Sequence, residues 1–161
     1  MGVLVGKPAP DFDVAAVLGS GEIVVSYKRS AAMQGKYGLV FFYPLDFTFV
    51  CPSELIALDH RMDKFRALGV EVVAVSIDSQ FTHNAWRNTA VKDGGIGPVT
   101  YTMAADINHD ICRAYDVETA GGVAFRGAFI IDRAGTVRAQ LVNDLPLGRN
   151  IDELIRLVEA L

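Results

Sequence analysis

Cysteine is scarce in this 161-residue sequence: Cys51 and Cys112 are the two present, and they form no C-x-x-C pair. That excludes the dithiol of a disulfide exchanger and the paired ligands of a zinc ribbon, and leaves the chemistry of an isolated thiol. A basic surplus is missing too. With a formal net charge of −4 the chain offers no cationic face to a phosphate backbone, so nucleic acid is not an expected partner. No apolar run reaches the length of a membrane span, and residues 1–10 lack the basic start and long apolar stretch of a signal peptide. A cytoplasmic protein without membrane contact is therefore expected. Histidine is limited to His60, His83 and His109, none in a recognisable motif. Gly94-Gly95-Ile96-Gly97-Pro98 has the wrong glycine spacing for a phosphate-binding loop and reads as a helix cap plus turn. Repeats, low-complexity tracts and linkers are also absent, so residues 1–161 are expected to form one domain, its core supplied by a 51% share of hydrophobic residues.

What the chain does have is one concentrated stretch, residues 38–58. Leu39 to Tyr43 is a continuous apolar, β-branched and aromatic run that reads as a strand buried on both faces and ended by Pro44. Pro52, suited to the first helical position, and Glu54 behind it mark the start of a helix whose apolar residues Leu55, Leu58, Met62 and Phe65 recur three or four apart until Leu68-Gly69. Cys51 thus falls at the first turn of a helix, just past the carboxyl end of a central strand. Free N–H groups and the positive end of the helix dipole favour a thiolate there.

Residues 1–30 read as a proline-extended lead-in with a strand-like Ile23–Ser26, and residues 28–36 as a polar connector. Val70 to Asp78 is a second buried strand, parallel to the first. Ser79 caps a helix running to about Val91, residues 99–104 form a third strand, and a short helix ends at Tyr115. Phe125–Ile131 and Thr136–Val142 flank Asp132-Arg133-Ala134-Gly135, a hairpin signal, and Ile151, Leu154, Ile155, Val158 and Leu161 line one face of a last helix. This order gives an α/β protein of thioredoxin-like fold: a central mixed β-sheet, helices on both faces and an N-terminal extension.

An isolated thiolate without a histidine base suits a peroxide, whose weak O–O bond needs only hydrogen-bond donors for its leaving oxygen; attack yields a sulfenic acid. Thr48, one helical turn before Cys51, supplies a hydroxyl, and Pro44 walls the pocket. Arg126 is the candidate cation because it interrupts the apolar run Val123–Phe129; the competing reading is an edge-strand charge facing water. A Cys-dependent acyl transferase would need one of the three histidines beside Cys51, yet His60 falls more than two turns along the helix and reads as part of its charged surface. Cys112 reads as a packing residue, and His109-x-x-Cys112 as half a metal site at most.

Residues 41–54, Phe-Phe-Tyr-Pro-Leu-Asp-Phe-Thr-Phe-Val-Cys-Pro-Ser-Glu, resemble the active-site segment of the peroxiredoxins. The likeness is to the typical two-cysteine group, which includes the bacterial alkyl hydroperoxide reductase peroxidase component. The Pro-x-x-x-Thr-x-x-Cys signature falls on Pro44, Thr48 and Cys51, and the family's distant arginine matches Arg126. Val75-Ser-Ile-Asp-Ser79 with Trp86, the Gly94–Pro98 loop and Val142–Arg149 extend the likeness over nearly the whole chain. The resemblance implies a cofactor-free, metal-free thiol peroxidase reducing hydrogen peroxide and organic hydroperoxides through a Cys51 sulfenic acid, in antioxidant defence and redox homeostasis. It further implies that Glu54 supports the arginine, and that an antiparallel homodimer assembles into a ring of five dimers with residues 44–49 near the contact between dimers. A ring-forming holdase or redox sensor on the same fold is the alternative. The typical two-cysteine members carry a resolving cysteine in a tail beyond the last helix, which this sequence does not reach. Regeneration is thus expected either from an intersubunit disulfide served by a thioredoxin-type or flavoprotein reductant, or from an external thiol.

Overall fold

In the computed structural model, which describes residues 2–48 and 51–161, the apolar run at 39–43 lies inside a seven-stranded sheet. The elements are β1 (Asp13–Val17), β2 (Ile23–Lys28), α1 (Arg29–Ala32), β3 (Tyr37–Phe42), α2 (Cys51–His60), α3 (Met62–Ala67) and β4 (Val70–Ser76). There follow α4 (Gln80–Arg87), β5 (Thr102–Ala105), α5 (Asp110–Ala114), β6 (Arg126–Ile131), β7 (Val137–Asn143) and α6 (Ile151–Glu159). The strand order is β2-β1-β5-β4-β3-β6-β7. β3 pairs parallel with β4 and antiparallel with β6, so both its edges are closed.

Residues Leu39 to Tyr43 have no solvent exposure, and the two-residue period of the strand divides them between two cores. Leu39, Phe41 and Tyr43 face a layer built by α2, α3 and α6, whereas Val40 and Phe42 face α5 and the N-terminal segment. Each such side chain contributes about 1.5–3 kcal/mol by leaving water. Helices therefore cover both faces, as the sequence predicts.

The differences are local. The lead-in contains a further strand, β1, which forms a hairpin with β2 and lies antiparallel to β5 through Ala16 and Ala104. Five residues, three of them alanine or aspartate, give too weak an alternation to stand out. The connector at 28–36 holds the single helical turn α1. After Cys51 the expected single helix is broken at Arg61, where φ −107° and ψ 3° leave the helical region and the Arg61 N–H bonds the Leu58 carbonyl instead of continuing the ladder. Leu55, Leu58, Met62 and Phe65 stay on the core face across that break. Ser79 caps α4 as expected, accepting from the Thr82 N–H, but α4 ends at Arg87; a separate 3₁₀ turn, Val91–Asp93, is closed by Gly94 at φ 89°. The third strand begins at Thr102 rather than Val99. Asn150 caps α6 through the Asp152 N–H, a start that its apolar period alone did not mark.

Candidate active site

Cys51 is the first residue of α2 and is fully buried. Glu54 follows one turn later on the same helix face, also buried. Pairing of Phe41 with Ala128 fixes β6 beside β3, and because side chains alternate, Arg126 and Ala128 point to the α2 side of the sheet. Arg126 Nη1 consequently lies 3.4 Å from Cys51 Sγ and 2.6 Å from Glu54 Oε1, while its Nε donates to the Leu145 carbonyl at 2.6 Å. Only 4% of Arg126 is exposed, so it is not an edge-strand charge facing water.

A second arginine completes the cluster. Arg149, between β7 and α6, donates its backbone N–H and Nε to Glu54 Oε2 at 2.7 and 2.8 Å and its Nη2 to Oε1 at 3.1 Å. Its Nη1 reaches the Gly127 carbonyl at 2.7 Å, and the guanidinium lies 3.6 Å over the Phe41 ring. Burial alone would raise the Glu54 pKa, but the hydrogen bonds and charge of Arg149, then the charge of Arg126, hold it below its ordinary value. Two guanidinium groups against one carboxylate leave one positive charge in excess beside the sulfur. A thiolate at Cys51 would balance it.

The loop from Pro44 to Thr48 carries the strand to the helix. Pro44 is buried at its start, and the Thr48 hydroxyl donates to the Leu45 carbonyl at 2.9 Å. Asp46 ties the loop down: its N–H donates to Asp78, its Oδ1 accepts from Tyr43, and its Oδ2 lies 2.7 Å from His83 Nδ1. His83 Nε2 donates to the Ala104 carbonyl, so both ring nitrogens of this buried side chain are engaged. Phe47, at φ 58°, sets its exposed ring 5.8 Å from that of Trp86, tilted by 42°. Phe47, Thr48, Pro52, Asp93 and Gly94 line a cleft of about 320 Å³ next to the start of α2. Phe49, the last residue of the expected contact region 44–49, lies outside the described residues.

The AhpC/TSA family model matches residues 5–140. Peroxiredoxin-2 of Macaca fascicularis is 52% identical over 157 residues, 97% of this chain and 78% of that protein. Alkyl hydroperoxide reductase C of Helicobacter pylori is 50% identical over 159 residues, 99% of this chain and 80% of that protein. Among solved structures, the reduced 2-Cys peroxiredoxin of Plasmodium vivax superposes with a TM-score of 0.95 at 42% identity, covering 98% of this chain and 81% of that one. The chain belongs to the AhpC/TSA family, the peroxiredoxins. It is a thiol-dependent peroxidase acting on peroxide, with the thioredoxin-like fold of its relatives. Nothing in these comparisons supports a holdase or sensor.

Of the residues singled out in the sequence of this peroxiredoxin, Cys51, Glu54 and Arg126 come together directly, and Thr48 and Pro44 belong to the loop that leads to Cys51. The histidines do not join them: His60 is exposed, His83 is committed to Asp46 and Ala104, and His109 pairs with Glu118. A cysteine–histidine acyl transferase therefore finds no base among the described residues. Cys112 sits in the core on the opposite face of the sheet, its thiol pushed up to about 12 by burial and by the charges of Asp106 and Glu118. Such a thiol is a poor nucleophile. Arg149 and the Asp46–His83 pair were missed. Arg149 carries no local mark of a buried cation, since it follows the loop after β7 and its carboxylate partner lies 95 residues away.

Proposed function

We propose that Cys51 is the peroxidatic nucleophile. The single observation carrying this reading is the buried sulfur at the first residue of α2 with a guanidinium nitrogen at 3.4 Å. The Cys51 thiolate attacks the terminal peroxide oxygen, an S–O bond forms as the O–O bond breaks, and the departing alkoxide or hydroxide takes up a proton to leave as alcohol or water. The products are a Cys51 sulfenic acid and ROH. Arg126 offsets the thiolate charge and then the charge growing on the leaving oxygen, since one donor near both atoms serves the reaction better than it serves the bound substrate. Glu54 fixes Arg126 in that position, Thr48 supplies a hydroxyl three residues before Cys51, and Pro44 narrows access for water. Two reducing equivalents return the sulfenic acid to the thiol, delivered by a thioredoxin-type or flavoprotein reductant, or by an external thiol.

The remaining expectations belong to the same reading. The whole of residues 1–161 acts as one domain. Copies associate as homodimers and then as a ring of five dimers: β7 is an open sheet edge with Val142 exposed, and Phe47 in the 44–48 loop and Phe81 in α4 present apolar surface. The cytoplasm suits a protein whose two thiols are both free, and among the described residues no helix is long and apolar enough to cross a membrane.

Peroxide consumption driven by dithiothreitol tests the central role. The wild-type protein should consume peroxide and Cys51→Ser should not. Equal, slow consumption by both would remove Cys51 from the reaction.

A further inference from the structure

Away from Cys51, three chemically different donors converge where α5 meets the turn before β6. His109 Nδ1 lies 2.7 Å from Glu118 Oε2, and Cys112 Sγ lies 3.9 Å from the same oxygen. All three donor atoms fall within 4.8 Å of one another. The sequence spacing His109-x-x-Cys112 supplies one of these from the residue before α5 and one from its first turn, and the fold adds Glu118. We propose that His109, Cys112 and Glu118 form a binding site for a divalent metal ion of the zinc type.

The donor set fits that ion: a soft sulfur, a borderline imidazole nitrogen and a hard carboxylate oxygen are each ordinary zinc ligands. Bonds of about 2.0–2.3 Å arranged tetrahedrally set donor atoms about 3.3–3.7 Å apart. The imidazole and carboxylate would therefore separate by roughly half an ångström and the sulfur draw slightly closer, movements within side-chain torsion. Binding is balanced by loss of the Cys112 thiol proton to solvent, leaving a metal–thiolate bond. The site is reachable, because His109 and Glu118 are each 25% exposed while the sulfur forms its floor. It is also braced. Arg113 Nε holds the other oxygen of Glu118 at 3.0 Å, turning Oε2 toward His109 and Cys112 as an outer-shell partner does. Asp106 accepts the N–H groups of Ile111 and Cys112 and fixes the helix start. His109 itself adopts φ 65°, and its ring packs against Gly122, which holds φ 91°.

Such an ion would clip α5 to the turn that ends in β6. Glu118 bridges Ala124, and Val117 accepts the Phe125 N–H, so the clipped segment runs directly into Arg126. The cluster's alternative is a hydrogen-bonded helix cap with no ion.

Cobalt(II) titration of the full-length reduced protein separates the two, because cobalt bound to thiolate gives an intense sulfur-to-metal absorption band. The expected result is one cobalt per chain with that band present in wild type and in Cys51→Ser, absent in Cys112→Ser, and weakened at least tenfold in affinity in His109→Gln and Glu118→Gln. The latter two variants change partly exposed side chains and guard against misfolding of the buried Cys112 variant. Zinc should also raise the melting temperature of the wild type and not of His109→Gln. No band at all, a band lost only in Cys51→Ser, or a band unchanged in His109→Gln and Glu118→Gln would each overturn the assignment.

Discussion

Replacing Arg126 with methionine keeps an unbranched apolar stem and removes the charged head of the side chain. At 3.4 Å the attraction between Nη1 and a Cys51 thiolate has a ceiling of about 5 kcal/mol for an effective dielectric near 20. Glu54, 2.6 Å from the same nitrogen, cancels part of this. What survives should resemble the loss of one preorganised donor, about 10²- to 10³-fold in rate. The fold should withstand the change, since Glu54 keeps three N–H partners from Arg149 and the unpaired Leu145 carbonyl costs about 1–3 kcal/mol. Stopped-flow mixing of reduced protein with peroxide measures the step directly. The single tryptophan, Trp86, packs against both Tyr43 and Phe47 at the ends of the loop before Cys51 and should report the change at that site by fluorescence. An Arg126→Met variant that is folded and reacts within threefold of wild type would show that this guanidinium does not assist the sulfur.

Thr48→Val preserves shape and deletes the hydroxyl bonded to Leu45; we expect peroxide reaction slowed by about 10- to 100-fold with the melting temperature within a few degrees of wild type, and an unchanged rate would remove Thr48 from the chemistry. Glu54→Gln strands two buried guanidinium groups and should cost about 3–5 kcal/mol in urea unfolding at neutral pH. The pH dependence has a fixed sign: a carboxyl held below its ordinary value contributes its full stability above about pH 4.5 and loses it as pH falls through the lowered value. Wild-type and Glu54→Gln stabilities should therefore converge as acid is added, and parallel curves would contradict the coupling.

The strand–loop–helix unit around Cys51 was legible because its signals are local: an unbroken apolar run, a proline to end it and another to start the helix. Arg126 was legible for the opposite reason, as a charge out of keeping with its strand. Arg149 gave no comparable signal, since it sits in a connecting loop where an arginine is unremarkable, and its burial arises only when α6 packs over Glu54. His83 was likewise invisible as an anchor, because Asp46 and Ala104 approach it through the crossover between β3, β4 and β5. The break at Arg61 left no trace in the apolar spacing, which continues in phase through it. β1 escaped notice because its pairing with β5 is decided by tertiary contact and not by its own short pattern.

A sulfur with no exposed surface imposes a size filter on its visitors. A peroxide of a few atoms needs only a narrow passage, whereas a thiol carried on another protein, or on a second copy of this chain, must touch the sulfur itself. With Cys51 as the opening residue of α2, and with α2 separated from α3 by the Arg61 break, unwinding the opening turn would bring the sulfur within reach of a bulky reductant. Oxidation and recovery would then call on two shapes of the same ten residues.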